Sequence, residues 1–303
     1  MARAVQFDHY GPADVLHVVD VPTPVPDARE VVVEVRAAGI NPGEIGIRSG
    51  AMHDTWPATF PSGQGSDLAG VVVAVAPDVS EFAVGDEVLG YSWRRSSHAS
   101  HVAVPVDQIV RKPSSVPWEV AGALYVVGVT AYAAVRAIDP SPGETVAVSA
   151  AAGGVGTVVV QLLRARGARV LGIASPANDE WLTTHGATPV HYGDGLRDRL
   201  AAEAPDAFID LFSPDYVRLA LDLGIPADRI NTAVSYQMKE DLGVKTEDSL
   251  DASTPEVLDE LAGLVADGTL EIPIPATYPL EKVVDAFTEL ERRHTRGKIV
   301  LIP

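Results

Sequence analysis

Apolar and polar positions change their spacing once along this chain, near residue 120. Before that point the apolar stretches are short and β-branched. Val31 to Val35 is one; Gly70 to Ala76 is another, ended by Pro77-Asp78. Gly, Pro and Asp turns separate such runs, which predicts short strands in a compact barrel rather than βα units. Beyond that point Glu119 to Ile138 reads as a helix interrupted near Gly128. Strand-like segments then alternate with helical ones: Thr145–Ala150, Arg169–Ala174, Pro189–Tyr192, Ala207–Leu211 and Arg229–Ala233 as strands, with helices such as 177–185 and 214–222 between them. That alternation predicts an α/β fold with a parallel, doubly wound sheet. Residues 254–268 read as a further helix, with Glu256, Asp259 and Glu260 outward and Val257, Leu258, Leu261 and Leu264 inward. From Leu270 the chain returns to strands, with one more helix at Leu280–Arg293. The expected organisation is a first domain over 1–122, a nucleotide-binding domain over 123–265, and a tail, 266–303, that rejoins the first.

One stretch organises the second half. Thr145 to Ala150 reads as a buried strand, and Gly153, Gly154 and Gly156 make a turn. Val158, Val159, Leu162 and Leu163 then follow a helical period that Gly167 ends. A dinucleotide needs this order: backbone close to the pyrophosphate, then a helix N-terminus that supplies amide donors and a positive dipole. The G-x-G-x-x-G pattern is not strictly met, because Ala151 holds its first glycine position. A glycine triplet alone also fits an ordinary strand-to-helix turn; the flanking strand and helix favour the cofactor reading. Ala152, Gly153, Gly154, Val155 and Gly156 are therefore the expected cradle.

The balance of 23 Lys and Arg against 41 Asp and Glu leaves a net charge of −18. This argues against nucleic acid, whose phosphates require clustered cations, and against anionic membrane surfaces. With 47% apolar residues the chain can bury a core. Zero cysteines exclude disulfides and thiolate metal sites. The opening Met-Ala-Arg-Ala-Val-Gln lacks an apolar signal region, and the uncharged run Val120–Val135 is too short to span a bilayer. A cytoplasmic protein is expected.

Several ordered motifs carry a family likeness along nearly the whole chain. They are Phe7-Asp-His-Tyr-Gly-Pro-Ala-Asp-Val-Leu, Ala38-Gly-Ile-Asn-Pro-Gly-Glu, Pro61-Ser-Gly-Gln-Gly-Ser-Asp-Leu-Ala-Gly-Val-Val with Val84-Gly-Asp-Glu-Val, Gly128-Val-Thr-Ala-Tyr, and His294-Thr-Arg-Gly-Lys-Ile-Val-Leu. Together they resemble the medium-chain dehydrogenase/reductase superfamily, in its zinc-independent, NADP-dependent quinone oxidoreductase branch. The resemblance implies a Rossmann doubly wound sheet inserted into a GroES-like β-barrel catalytic domain, and a homodimer. It also implies NADP(H), with a small apolar carbonyl or quinone as substrate.

Zinc members of the superfamily use two Cys and a His; here Asn41 holds the first ligand position and Ser66 the His position. His98 and His101 lie three apart, but Arg94-Arg-Ser-Ser-His-Ala-Ser-His reads as a polar loop with solvated or locally bonded histidines. Reduction of a conjugated carbonyl needs no Lewis acid. The second strand of the nucleotide domain ends Gly172-Ile-Ala-Ser175, without the carboxylate that holds a ribose diol in NAD sites, which favours NADP. Ser175 before Pro176 is also a natural helix cap. Asn178 stands where NADP-binding members often carry Lys, so the preference is expected to be modest; Tyr192 matches a tyrosine beside the 2′-phosphate and reads equally as a strand-end aromatic.

The resemblance places Asn41, Glu44 and Thr130 near the nicotinamide as the catalytic candidates. Each also has a structural reading: a turn residue, a surface charge, a buried helix hydroxyl. Met52 replaces a cleft tyrosine of many relatives, leaving His53 and Trp56 as further substrate-cleft candidates. Tyr91 and Trp93 fit either an apolar acceptor site or the barrel core. No proton donor is evident. The readings are an NADPH-dependent quinone or enone reductase, an enoyl-thioester reductase of secondary metabolism, and a non-catalytic NADP(H)-binding sensor or partner subunit.

Overall fold

The computed structural model describes all 303 residues. The chain forms two compact units. The first, residues 1–126, 254–267 and 272–303, is a barrel-like β domain; the second, 127–253 and 268–271, is a parallel-sheet domain inserted into it.

In the first unit, β1 (Ala2–Phe7) pairs with β2 (His17–Val21) and β3 runs over Glu30–Gly39. β4 (Ser62–Gly63) also pairs with β1, and β5 (Asp67–Val75) with β3. β6 (Glu87–Tyr91), β7 (His101–Pro105) and β8 (Ile109–Arg111) complete the strands before the insertion. β3 is the hub, because its Val-rich sequence is buried along most of its length. It pairs antiparallel with both β5 and β7, and its valines meet Leu68, Val72, Val88, Val102 and Val104 in one core. Two register shifts in the β3–β5 ladder bend the strand, as bulges do when a sheet curls.

At the surface of this unit, the Arg29 guanidinium reaches both carboxylate oxygens of Glu81, at 2.6 and 3.3 Å. Arg29, helped by the Ser80 N–H, holds the Glu81 carboxyl down at about 2. A lowered carboxylate contributes stability above its ordinary value of 4.5 and loses it as pH falls toward 2. Glu81→Gln should therefore be slightly less stable than wild type at neutral pH. Urea unfolding at a series of acid pH values should show the two proteins converging.

The expected helix over Glu119–Ile138 is two helices, Trp118–Ala121 and Leu124–Ile138, and the break lies at Gly122 rather than Gly128. The cause is tertiary: the Gly122 carbonyl accepts the Gly39 N–H at 2.7 Å, and a Cβ at Gly122 would stand 2.4 Å from the Ala37 carbonyl oxygen. The chain must leave the helix to pass this close to β3.

The second unit holds β9 (Thr145–Val148), β10 (Arg169–Ala174), β11 (Ala187–His191), β12 (Ala207–Asp210) and β13 (Ile230–Thr232), all parallel, in the order β11-β10-β9-β12-β13. The doubly wound sheet predicted from the alternation is present, and Phe208, Leu171, Val217 and Ile230 anchor its core. The chain winds outward from β9 to β11, then crosses to β12 on the other side of β9. That reversal makes the carboxyl ends of β9 and β12 the switch point where ligands bind.

The helix Pro255–Ala266 belongs to the first unit, where it packs on β8, although residues 254–265 were expected in the nucleotide-binding domain. Its inward face of Leu258, Leu261 and Ala262 finds its partner there. β14 (Ala276–Pro279) and β15 (Ile299–Ile302) then extend the β3 sheet, while residues 268–271 of the tail fall in the second unit. No helix is long and apolar enough to cross a membrane.

Candidate active site

In the second unit the glycine turn joins β9 to a helix. β9 ends and Ala150 takes φ +47, turning the chain into Gly153 and the helix Gly154–Ala165. A Cβ at Gly156 would stand 2.2 Å from the Ala150 carbonyl oxygen, so only glycine lets the helix start this close to the strand. Gly153 caps the helix without a side-chain bond, so its first N–H groups are left to a ligand. The turn thus fits a dinucleotide pyrophosphate, bringing together Ala152, Gly153, Gly154, Val155 and Gly156.

Asp210 fixes the crest of the sheet beside this turn. Ser149 donates to one of its oxygens at 2.8 Å and Thr232 to the other at 2.8 Å, and the N–H groups of Phe212 and Ser213 add two more bonds. It ties the ends of β9, β12 and β13 together. Burial pushes its pKa up despite the four donors.

At the end of β10 no carboxylate side chain stands at Ser175. Asn178 donates to the Ser175 hydroxyl oxygen at 3.0 Å, and Ser175 caps the following turn through its carbonyl rather than its side chain. Ala174 and His191 are register partners in β10 and β11, so Ser175 and Tyr192 follow at the ends of adjacent strands. Tyr192 is half exposed, which removes the core-aromatic reading. The fold adds a residue that the sequence did not single out. Arg199 reaches back to donate to the His191 carbonyl at 2.7 Å and the Asp194 carbonyl at 2.9 Å, which holds a guanidinium at the end of β11, where Tyr192 follows in the chain. Thr130 lies buried on the Leu124–Ile138 helix.

The first unit gathers the remaining candidates around the helix Pro42–Ser49. Asn41 caps it, and Glu44 accepts the Asn41 N–H at 2.9 Å, half of a capping box. Glu44 is no surface charge: it is 4% exposed and also accepts the Ser66 N–H at 3.0 Å. The Asn41 amide donates to Asp67 at 2.7 Å and to Glu44 at 3.3 Å. Lys298, from the turn before β15, donates to the Ile40 carbonyl at 2.9 Å, to Asn41 Oδ1 at 2.6 Å and to Asp67 at 3.1 Å. His98, read as part of a polar loop, is fully buried instead, its Nε2 3.2 Å from the Gly39 carbonyl oxygen. A carbonyl only accepts, so Nε2 carries the proton of that bond. His101 fits the local reading, with Nδ1 3.1 Å from the Ser100 hydroxyl.

Beyond the helix, Met52, His53 and Trp56 share one turn, in which the Trp56 N–H bonds the Met52 carbonyl at 2.7 Å. The Met52 sulfur covers Gly46, where an added Cβ would lie 2.7 Å away. Tyr10 accepts the Ala58 N–H at 2.9 Å and lies 2.8 Å from His53 Nδ1. The fold also assembles an aromatic step that the sequence showed only in part. Tyr91 stacks on Tyr125 at 4.0 Å, and Trp93, 41% exposed, meets both edge-on. Burial, with Asp107 adding to it, raises the Tyr91 pKa.

Known proteins resemble this chain along its whole length. Residues 27–135 match the alcohol dehydrogenase GroES-like domain and residues 122–301 the zinc-binding dehydrogenase family. A quinone oxidoreductase of Pseudomonas aeruginosa is 30% identical over the full length of both chains. The chain belongs to the medium-chain dehydrogenase/reductase superfamily, in its quinone oxidoreductase branch. Among solved structures, the quinone oxidoreductase of Coxiella burnetii superposes with a TM-score of 0.90 at 29% identity, covering 100% of this chain and 99% of that one. The Escherichia coli quinone oxidoreductase complexed with NADPH superposes with a TM-score of 0.85 at 26% identity, covering 99% and 100%. The zinc in the family's description does not fit the residues present. The chain has no cysteine, and the Asn41 and Asp67 oxygens already hold the Lys298 ammonium.

Proposed function

We propose that this protein is an NADPH-dependent reductase that transfers hydride to a quinone or an α,β-unsaturated carbonyl without zinc. The observation that carries this reading is the nucleotide edge of the second unit. An uncapped glycine turn leads there to a β10 end bearing Ser175 and Asn178, with Tyr192 and Arg199 at the neighbouring strand end. Neutral donors and a guanidinium suit a 2′-phosphate, and a carboxylate that would repel it is missing from Ser175. The bound cofactor supplies the hydride, while the protein supplies binding and orientation. Tyr91, Trp93 and Tyr125 offer an aromatic face to a flat apolar acceptor. Asn41 and Glu44 shape the reacting centre of the first unit, and Thr130 belongs to the nucleotide side. Reduction takes up one hydride and one proton; with no tyrosine at position 52, the proton comes from water or through the exposed His53.

Steady-state oxidation of NADPH with small quinones and enones should show turnover. Prolonged EDTA treatment should leave kcat unchanged. Turnover only with enoyl thioesters would move the protein to thioester reduction. NADPH binding without turnover on any acceptor would make it a sensor. Activity lost to chelator and restored by zinc would overturn the metal-free reading.

A further inference from the structure

Three segments far apart in sequence meet at one buried nitrogen. Lys298 is 4% exposed, and its three N–H groups go to Ile40 O, Asn41 Oδ1 and Asp67 Oδ2. An ammonium has three protons, so its donors are spent. The Asn41 amide spends both of its own on Asp67 and Glu44. This decides which way the carboxamide faces. Flipped, its NH2 would confront the Lys298 ammonium and its oxygen would confront two carboxylates. A carboxylate, an amide oxygen and a backbone carbonyl form an oxygen set that suits a hard cation, and here the cation comes from the chain itself.

We propose that Lys298 is a positioning residue: a tethered cation that gathers these oxygens, balances the buried carboxylate of Asp67 and locks the Asn41 carboxamide in one orientation. It leaves no open coordination position, so it does not polarise a substrate carbonyl. In the reductase reading it acts through Asn41 and Glu44, which shape the reacting centre. The inference rests on the reductase reading for its effect on turnover.

The test is Lys298→Ala, titrated with methylammonium, reading kcat, KM for NADPH and Tm. Displacement of the Asn41 side chain should lower kcat on the order of a hundredfold while KM for NADPH holds. Methylammonium should restore kcat and raise Tm with the same half-saturating concentration, and should do neither to wild type. Lys298→Met fills the space without the charge and should stay slow and unresponsive. Wild-type kcat in a folded Lys298→Ala protein would overturn the proposal. So would a methylammonium-dependent rise in Tm without recovery of kcat, which marks a brace only. If Lys298→Ala does not fold, Lys298→Gln replaces it. Gln can serve only part of the cage, so its kcat should fall at unchanged KM for NADPH, and a wild-type kcat would overturn the proposal. A wild type that turns over no acceptor refutes the reductase reading instead; the methylammonium effect on Tm then scores the cation site alone.

Discussion

Gly154→Asp should weaken NADPH binding on the order of a hundredfold while leaving the protein folded. Gly154 is the first residue of the helix Gly154–Ala165, and Gly153 provides no side-chain cap. An aspartate here suits the helix, because a negative charge in the first turn complements the dipole. It also occupies the place of the phosphates and repels them. The loss combines hydrogen bonds to a charged group, about 1.5–3 kcal/mol, with like-charge repulsion, and each 1.4 kcal/mol is tenfold in affinity. Calorimetric titration with NADPH and a thermal melt of the same sample check both halves. Gly156→Ala is the informative contrast. Its Cβ would lie 2.2 Å from the Ala150 carbonyl oxygen, so it should lower Tm as well as affinity. A Gly154→Asp protein that binds NADPH like wild type would remove the pyrophosphate from this turn.

Ser175→Asp should reverse the cofactor preference. The wild type is expected to favour NADPH over NADH by about 1–3 kcal/mol, the size of hydrogen bonds to a charged group. The donors are neutral at Ser175 and Asn178, and the guanidinium of Arg199 is already engaged with two backbone carbonyls. An aspartate at the end of β10 would accept from a ribose diol and repel a 2′-phosphate. The measurement is kcat/KM for both nucleotides with one quinone, in wild type and variant. Removing the cation in Arg199→Ala should raise KM for NADPH and leave KM for NADH in place. A wild type that prefers NADH would show that this edge does not set specificity.

Much of the fold was legible because it rests on local spacing. The β-branched run at Val31–Val35 lies within β3, and Arg169–Ala174 and 214–222 coincide with the observed strand and helix. The glycine turn was legible for the same reason, since strand, turn and helix are consecutive in the chain. Helix interruption was misplaced at Gly128 because the break answers to the backbone of β3, which no helical period records. The helix Pro255–Ala266 shows its apolar face in sequence but not which unit receives it.

What the sequence determined by itself is what neighbours in the chain decide: the two textures, the glycine cradle, the missing carboxylate at Ser175 and the absence of thiolate ligands. What only the tertiary structure decided is how polar groups distant in sequence are satisfied once buried. Lys298 and Asp67 are 231 positions apart, and nothing around Lys298 marks it as anything but a surface lysine. His98 sits among arginines and serines yet is sealed against Gly39. Glu44, a site candidate that could also have been a surface charge, is buried and accepts the Ser66 N–H. The physical reason is common to all three. A buried polar group is tolerated where partners are waiting for it, and here partners come from segments distant in the chain: Asp67 for Lys298, Gly39 for His98 and Ser66 for Glu44.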